Sequence, residues 1–235
     1  MIRRSLWATI VSWVVLASGI AVVATAASAQ AATSPTLGVS RGPSQEGYGH
    51  VMPRTIFNGG DPTGLVRRVH WDHWGQPRAI GHGIGDWVWP GLSVAGGGTP
   101  LHATVVAFDP GSCAGELAYR KIEWYFPIRG EKFNPRQFIN ICTGRYSSYQ
   151  PHYDKCGSAD LISPPGQASQ IQATGVGCDK ARSIVAHTPA INYVQNGGRF
   201  RSDGLYCGSQ GDDALGPPAL FECSWGATDI LFDVN

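Results

Sequence analysis

No cysteine precedes Cys113, no Cys-x-x-Cys pair occurs anywhere, and no Asn-x-Ser/Thr triplet is present. The first absence excludes a lipoprotein, which needs a cysteine at its cleavage site; the second removes the usual thiolate clamp for zinc; the third leaves no N-glycan acceptor. Charge of one sign is missing as well. If a leader of residues 1–31 is removed, Arg3 and Arg4 go with it, and 16 of the 18 basic residues remain against 17 acidic ones. A near-neutral chain has no electrostatic footprint for nucleic acid or anionic lipid. After residue 23 no apolar run is long enough to cross a bilayer as a helix, so no membrane contact is expected once the leader is cut.

What is there begins with a leader. Met-Ile-Arg-Arg is followed by an uncharged apolar run over residues 6–23 and then by small residues over 24–32. That order, basic, apolar, small, is what signal peptidase requires. Cleavage after Ala29 or Ala31 satisfies it and predicts a mature chain starting at Gln30 or Ala32. The paired arginines lack the surrounding twin-arginine pattern, so the general secretory route is expected. Export explains the cysteines. Cys113, Cys142, Cys156, Cys178, Cys207 and Cys223 are even in number and all lie in the exported part, which predicts three disulfides. Six cysteines allow about fifteen pairings. Sequential pairing is expected, because Cys113–Cys142 lies within one β unit, Cys207–Cys223 joins neighbouring strands, and Cys156–Cys178 fastens a loop to a helix start.

The pattern divides the chain into a signal peptide at 1–31, a flexible linker at 32–53, a β-rich domain at 54–146, a loop-rich connector at 147–177 and a small α+β module at 178–235. Residues 33–49 are Ser, Pro, Gly, Gln and Thr with few apolar side chains, the composition of a tether. Short Val-, Ile- and aromatic-rich runs at 65–71, 101–108, 117–126 and 138–142, bounded by Gly, Pro or Asp, read as strands. The stretch 81–90 is rich in glycine and reads as loop. Beyond the connector, Ala181, Ile184 and Val185 have helical spacing with Asp179 in the first turn, and runs at 200–207, 220–225 and 228–234 read as strands. The expected fold is mainly β: an N-terminal antiparallel sandwich or barrel, then one helix on an antiparallel sheet.

Two sets of motifs resemble a known group. Asn58-Gly59-Gly60-Asp61-Pro62-Thr63-Gly64, Trp71-Asp72-His73-Trp74-Gly75 and Ala79-Ile80-Gly81-His82-Gly83 are similar to the GGDPTG, WxxWG and AxGxG stretch of uncharacterised secreted proteins of actinobacteria. Cys178-Asp179-Lys180-Ala181-Arg182, Gly204-Leu205-Tyr206-Cys207, Glu222-Cys223 and Ile230-Leu231-Phe232 resemble the CxxAR, GFxC, C and VxF pattern of a small exported module from the same organisms. The resemblance implies export and kinship over most of residues 54–235. It carries over no activity, catalytic residue or ligand.

Candidate chemistry is sparse. His70 and His73 flank Asp72 closely enough to suggest zinc, but residues three apart on a strand face opposite ways. Asp212-Asp213 lacks the oxygen-rich loop that calcium needs and reads as an exposed turn. Ser44, Ser93, Ser158, Ser163 and Ser209 sit in no nucleophile elbow, and His102, His152 and His187 are isolated. Asp61, Asp72, Asp86 and Glu123 are carboxylates without a legible partner. No metal, cofactor or catalytic residue is therefore expected. Trp87 and Trp89 are the best binding candidates. In an extended run their indoles fall on one side, and in a Gly-rich loop they would be held toward solvent as a sugar-stacking face. The expected function is a secreted, non-catalytic binding or structural protein of the cell envelope with cell-wall glycan as partner; the alternative is a secreted hydrolase of such a polymer.

Overall fold

The computed structural model describes residues 34–90, 98–194, 198–210 and 219–234. The leader with its cleavage sites, Ser93 and Asp212-Asp213 lie outside the described residues. Residues Thr33–Asn235 form one compact unit. Its described residues hold two largely antiparallel sheets and one α-helix.

The first sheet is built from β2 (Ile56–Phe57), β3 (Leu65–His73), β4 (Arg78–Trp87), β5 (Thr99–Cys113), β6 (Glu116–Tyr125), β7 (Ile139–Asn140) and β8 (Arg145–Tyr146), paired in chain order. It curls into a half-barrel, and β1 (Thr36–Leu37) adds a short parallel pairing to β6. The second sheet takes β9 (Asp154–Ile162), β10 (Pro165–Thr174), β11 (Arg199–Ser202), β12 (Leu205–Gln210), β13 (Ala219–Trp225) and β14 (Thr228–Val234) in the order β11-β12-β13-β14-β10-β9. Helix α1 (Cys178–Ala186) buries Ala181, Ile184 and Val185 against it. This is the mainly β architecture with one helix on an antiparallel sheet that the pattern predicts.

Turn chemistry sets the hairpins. Ala114 and Gly115 both have positive φ, 54° and 90°, which is the primed two-residue turn that matches strand twist and places Cys113 opposite Glu116. Asp203 and Gly204, at 51° and 83°, do the same between Ser202 and Leu205. The single strand expected over 200–207 is therefore two strands, β11 and β12. All six cysteines are bonded in the sequential pairs Cys113–Cys142, Cys156–Cys178 and Cys207–Cys223. The last joins residues directly opposite in the β12–β13 ladder.

Three local expectations are corrected. Residues 33–49 are not a tether: Leu37 and Tyr48 are buried, and the indoles of Trp71 and Trp74 donate to the carbonyls of Pro53 and Pro35, both at 2.8 Å. A segment poor in apolar residues is held here by a tryptophan from β3 and another just past its end. The loop-rich stretch 147–177 contains the β9–β10 hairpin, whose Leu161, Ala168, Ile171 and Ala173 face the second core. Residues 81–87 are strand, not loop. Gly81 and Gly83 lie on the inner face of β4, where a Cβ would come within 2.9 Å of the Trp71 ring and 2.8 Å of Val66. Glycine is there because bulky neighbours close over the strand.

Each sheet has its own core. Ile171, Val185, Phe221, Ile230 and Phe232 centre the second; Leu37, Val66, Trp71, Val105, Tyr119 and Ile122 centre the first. Tyr206 belongs to the first core although it stands on β12 of the second sheet. That crossing residue marks where the two sheets join.

Candidate functional site

Trp87 and Trp89 lie at this join. Trp87 is 8% exposed, and its indole hydrogen-bonds the carboxyl of Glu131. Trp89 is half-buried and donates from Nε1 to Cys207 O at 2.8 Å. Both rings meet Tyr206 edge-on, at 5.2 and 4.7 Å between centroids. The guanidinium of Arg129 sits in the corner between Trp87 and Tyr206, 4.1 and 4.2 Å from their ring centres. Its Nε is buried without a hydrogen-bond partner, so the π faces supply the compensation. The backbone completes the latch, since Gly226 N–H donates to Arg129 O at 2.9 Å. Trp87, expected with Trp89 to face solvent in a loop, is instead buried, and the half-buried Trp89 packs beside it as a clasp between the sheets.

The clustered histidines do not converge on one site; Asp72 turns to His82 instead. A register shift between Trp71 and His73 puts a bulge in β3, and Asp72 reaches His82 at 3.0 Å. His70 and His73 are exposed, and among the described residues no group of three His, Cys, Asp or Glu is placed to hold a metal. The other expected carboxylates are scattered. Asp61 caps the 3-10 turn at Pro62–Gly64, Asp86 faces Arg67 at 3.6 Å, and Glu123 is buried with its two oxygens accepting from Asn134 N at 3.1 and 3.0 Å. Burial pushes Glu123 up to about 7 against those bonds. His102 is exposed, His152 lies 3.4 Å from Asp154, and the His187 ring is bonded to Ser183 O, so none faces a nucleophile.

Two constellations were not legible in the sequence. The first is Tyr153, Asp229 and Glu222. Ser224 pairs with both Tyr206 and Asp229, so Asp229 and Glu222 share the face of the second sheet turned away from α1. Tyr153 donates to Asp229 Oδ2 at 2.5 Å, Gln210 donates to Glu222, and Asp229 Oδ1 is buried unpaired. Burial raises both carboxyls, and the charge of Asp229 raises Glu222 further. Burial and the same carboxylates push the Tyr153 phenol up. Residues about seventy positions apart meet only through strand order.

The second is a cleft of about 90 Å³ where the N-terminal segment crosses the β7–β8 hairpin. Arg41, Gln45, Tyr48, Asn58, Ile141 and Tyr146 line it. Tyr48 is its buried floor, bonded through its hydroxyl to Asn58 Oδ1, and burial holds that phenol protonated. Tyr146 stands at the rim, 73% exposed. An aromatic face beside amide and guanidinium donors is the physics of a saccharide or other small polar ligand. Arg41, Gln45 and Tyr48 come from the segment whose composition reads as a tether, which is why the sequence concealed the cleft.

Fold and sites together define a disulfide-stabilised, mainly β domain without a metal-holding group among its described residues. No family model, no curated protein and no solved structure matches the chain.

Proposed function

We propose that the chain is exported and acts as a non-catalytic binding protein of the cell envelope, with envelope glycan as its partner. Its relatives, in this reading, are the secreted actinobacterial proteins whose motifs it resembles. The leader pattern and the pairing of all six cysteines support an oxidising, extracytoplasmic setting. The observation that carries the binding role is the cleft beside Tyr146, an exposed ring next to convergent polar groups on a scaffold braced by disulfides. Purified mature protein incubated with whole cell wall, purified peptidoglycan and chitin, beside a no-protein blank, tests it. Retention on at least one matrix, lost in Tyr146→Ala at unchanged melting temperature, is expected; no retention on any matrix would overturn it.

The rival reading is a secreted hydrolase of wall glycan or an external polymer. Glu222 and Asp229 favour it, as neighbouring carboxyls both raised by burial. Reducing ends released from cell wall by the wild type and not by Glu222→Gln would establish it.

A further inference from the structure

Arg41 is an exposed cation without a carboxylate partner among the described residues. Its Nη1 donates to Cys142 O at 2.8 Å, and its backbone N–H is held by Gln45 Oε1 at 2.9 Å. The acceptor carbonyl belongs to a half-cystine fixed to Cys113. Beneath the side chain is Gly144, at φ 73°, where an added Cβ would lie 3.1 Å from Arg41 Nε. Glycine thus serves both the left-handed turn and the seat of the guanidinium. The fixed guanidinium lines the cleft, yet no described carboxylate lies within ion-pair distance of it. Arg41 differs from the paired Arg120 and Arg182 and from the stacked Arg129 in that it lines a cleft with no described carboxylate or ring against it.

From this geometry we propose that the cleft is a subsite for a carboxylate-bearing sugar unit, with Arg41 as the anion anchor and Tyr146 as the stacking face. The proposal rests on the reading of the protein as a glycan binder and names the sugar chemistry that reading leaves open. Size limits what enters. Pockets that enclose a drug-sized ligand run from roughly 300 Å³ upward, and this one is far smaller, so it grips one group of a larger molecule. A planar carboxylate matches a guanidinium fork, and the C–H face of a pyranose matches the open Tyr146 ring. In the wall, Asn58 Nδ2 is a buried donor without an acceptor, whose cost a ligand oxygen would offset. The carboxylate could belong to a lactyl ether on an amino sugar or to a uronic acid; both present the same group.

Calorimetric titration of the mature protein at low salt decides it. The probes are a muramic-acid disaccharide, a glucuronic-acid disaccharide, neutral di-N-acetylchitobiose and tetraglutamate. The wild type is expected to bind at least one acidic disaccharide about tenfold or more tighter than the neutral one, the scale of one charge-assisted bond. Arg41→Gln should erase that preference, Arg41→Lys should restore part of it, and Tyr146→Ala should weaken acidic and neutral sugars alike. Melting temperatures near wild type qualify each variant, and Arg41→Lys serves if the glutamine variant unfolds. Equal affinity for acidic and neutral sugars, a preference that survives Arg41→Gln, or tetraglutamate bound as tightly as the sugars would each overturn the subsite. Acidic-sugar binding without retention on cell wall would sink only the envelope role. Retention undiminished in Arg41→Gln and Tyr146→Ala would sink only the site.

Discussion

Glu123 shows how one side chain couples fold to pH. It is 8% exposed on β6, its oxygens accept only one backbone N–H, and Glu131 adds like charge, so its carboxyl titrates at about 7 against an ordinary 4.5. The raised value means that the folded state binds the proton more tightly. Stability from this residue is present in full below about 4.5 and is lost as pH rises through 7, a swing of roughly 3 kcal/mol. Glu123→Gln keeps an oxygen for Asn134 N and carries no charge. Its melting temperature is expected to exceed the wild type's at pH 8, with the gap closing at pH 4.5; thermal melts across that range check it, and parallel curves would refute the assignment. Arg129 makes the complementary point. It is a charge accepted into a low-exposure site because two rings receive it and the Glu131 carboxylate adds opposite charge nearby. Desolvated contacts of this kind are worth about 2 kcal/mol.

At the scale of elements, β4 is the strand that glycine conceals. Gly81, Gly83 and Gly85 alternate along its inner face, so the period of two is present but written in absent side chains. Trp71, Val66 and Phe126 occupy the space. Gly81→Val should force the Trp71 ring and the His70 carbonyl apart, at a cost of about 1–3 kcal/mol or more, and loosen the Trp71 bond to Pro53 that holds the N-terminal segment. Chemical denaturation together with proteolysis near residues 35–53 checks it. A variant as stable as wild type, with that segment equally protected, would mean β4 is not packed this way. The β9–β10 hairpin was hidden differently. Its strands carry Gly157, Gly166 and Pro165 and register shifts near Ile171, so polar and turn-forming residues interrupt the alternation. They are held in place by α1 through Cys156–Cys178 and by pairing with β14.

For the whole molecule, the join between the sheets decides what Trp87 means. A ring there contributes to folding first. Trp87→Ala is expected to cost about 3–5 kcal/mol, lowering the melting temperature of a chain this size by roughly 6–20 °C. Tyr146→Ala, at the rim, should leave it within a degree or two. Differential scanning calorimetry of the pair separates clasp from platform, and an unchanged melting temperature for Trp87→Ala would return that ring to the surface. Export is tested at the same scale. Intact mass of the secreted form should correspond to a start at Ala32 or Gln30, and a retained Met1 in the membrane fraction would remove the compartment on which the proposed role depends.

The disulfide framework, the helix at Cys178–Ala186, the strands β13 and β14 and the mainly β class were readable from spacing and composition, because each depends on neighbours within about thirty residues. The pairing of cysteines followed for the same reason, as every bridge closes a short loop. What the sequence withheld required distant partners. Residues 33–49 look unable to order themselves, since composition counts only what a segment buries alone, and Trp71, Trp74 and Tyr119 supply the burial from elsewhere. Trp87 reads as a loop residue until Tyr206 from β12 and Arg129 from the 3-10 turn Pro127–Arg129 arrive to cover it, and Trp89 packs on the same Tyr206. The cleft at Arg41 and Tyr146 joins positions more than a hundred residues apart. Local patterning determines which elements form; only the tertiary structure decides which side chains are covered and which are left to meet a ligand, because burial belongs to the assembled surfaces and not to any one segment.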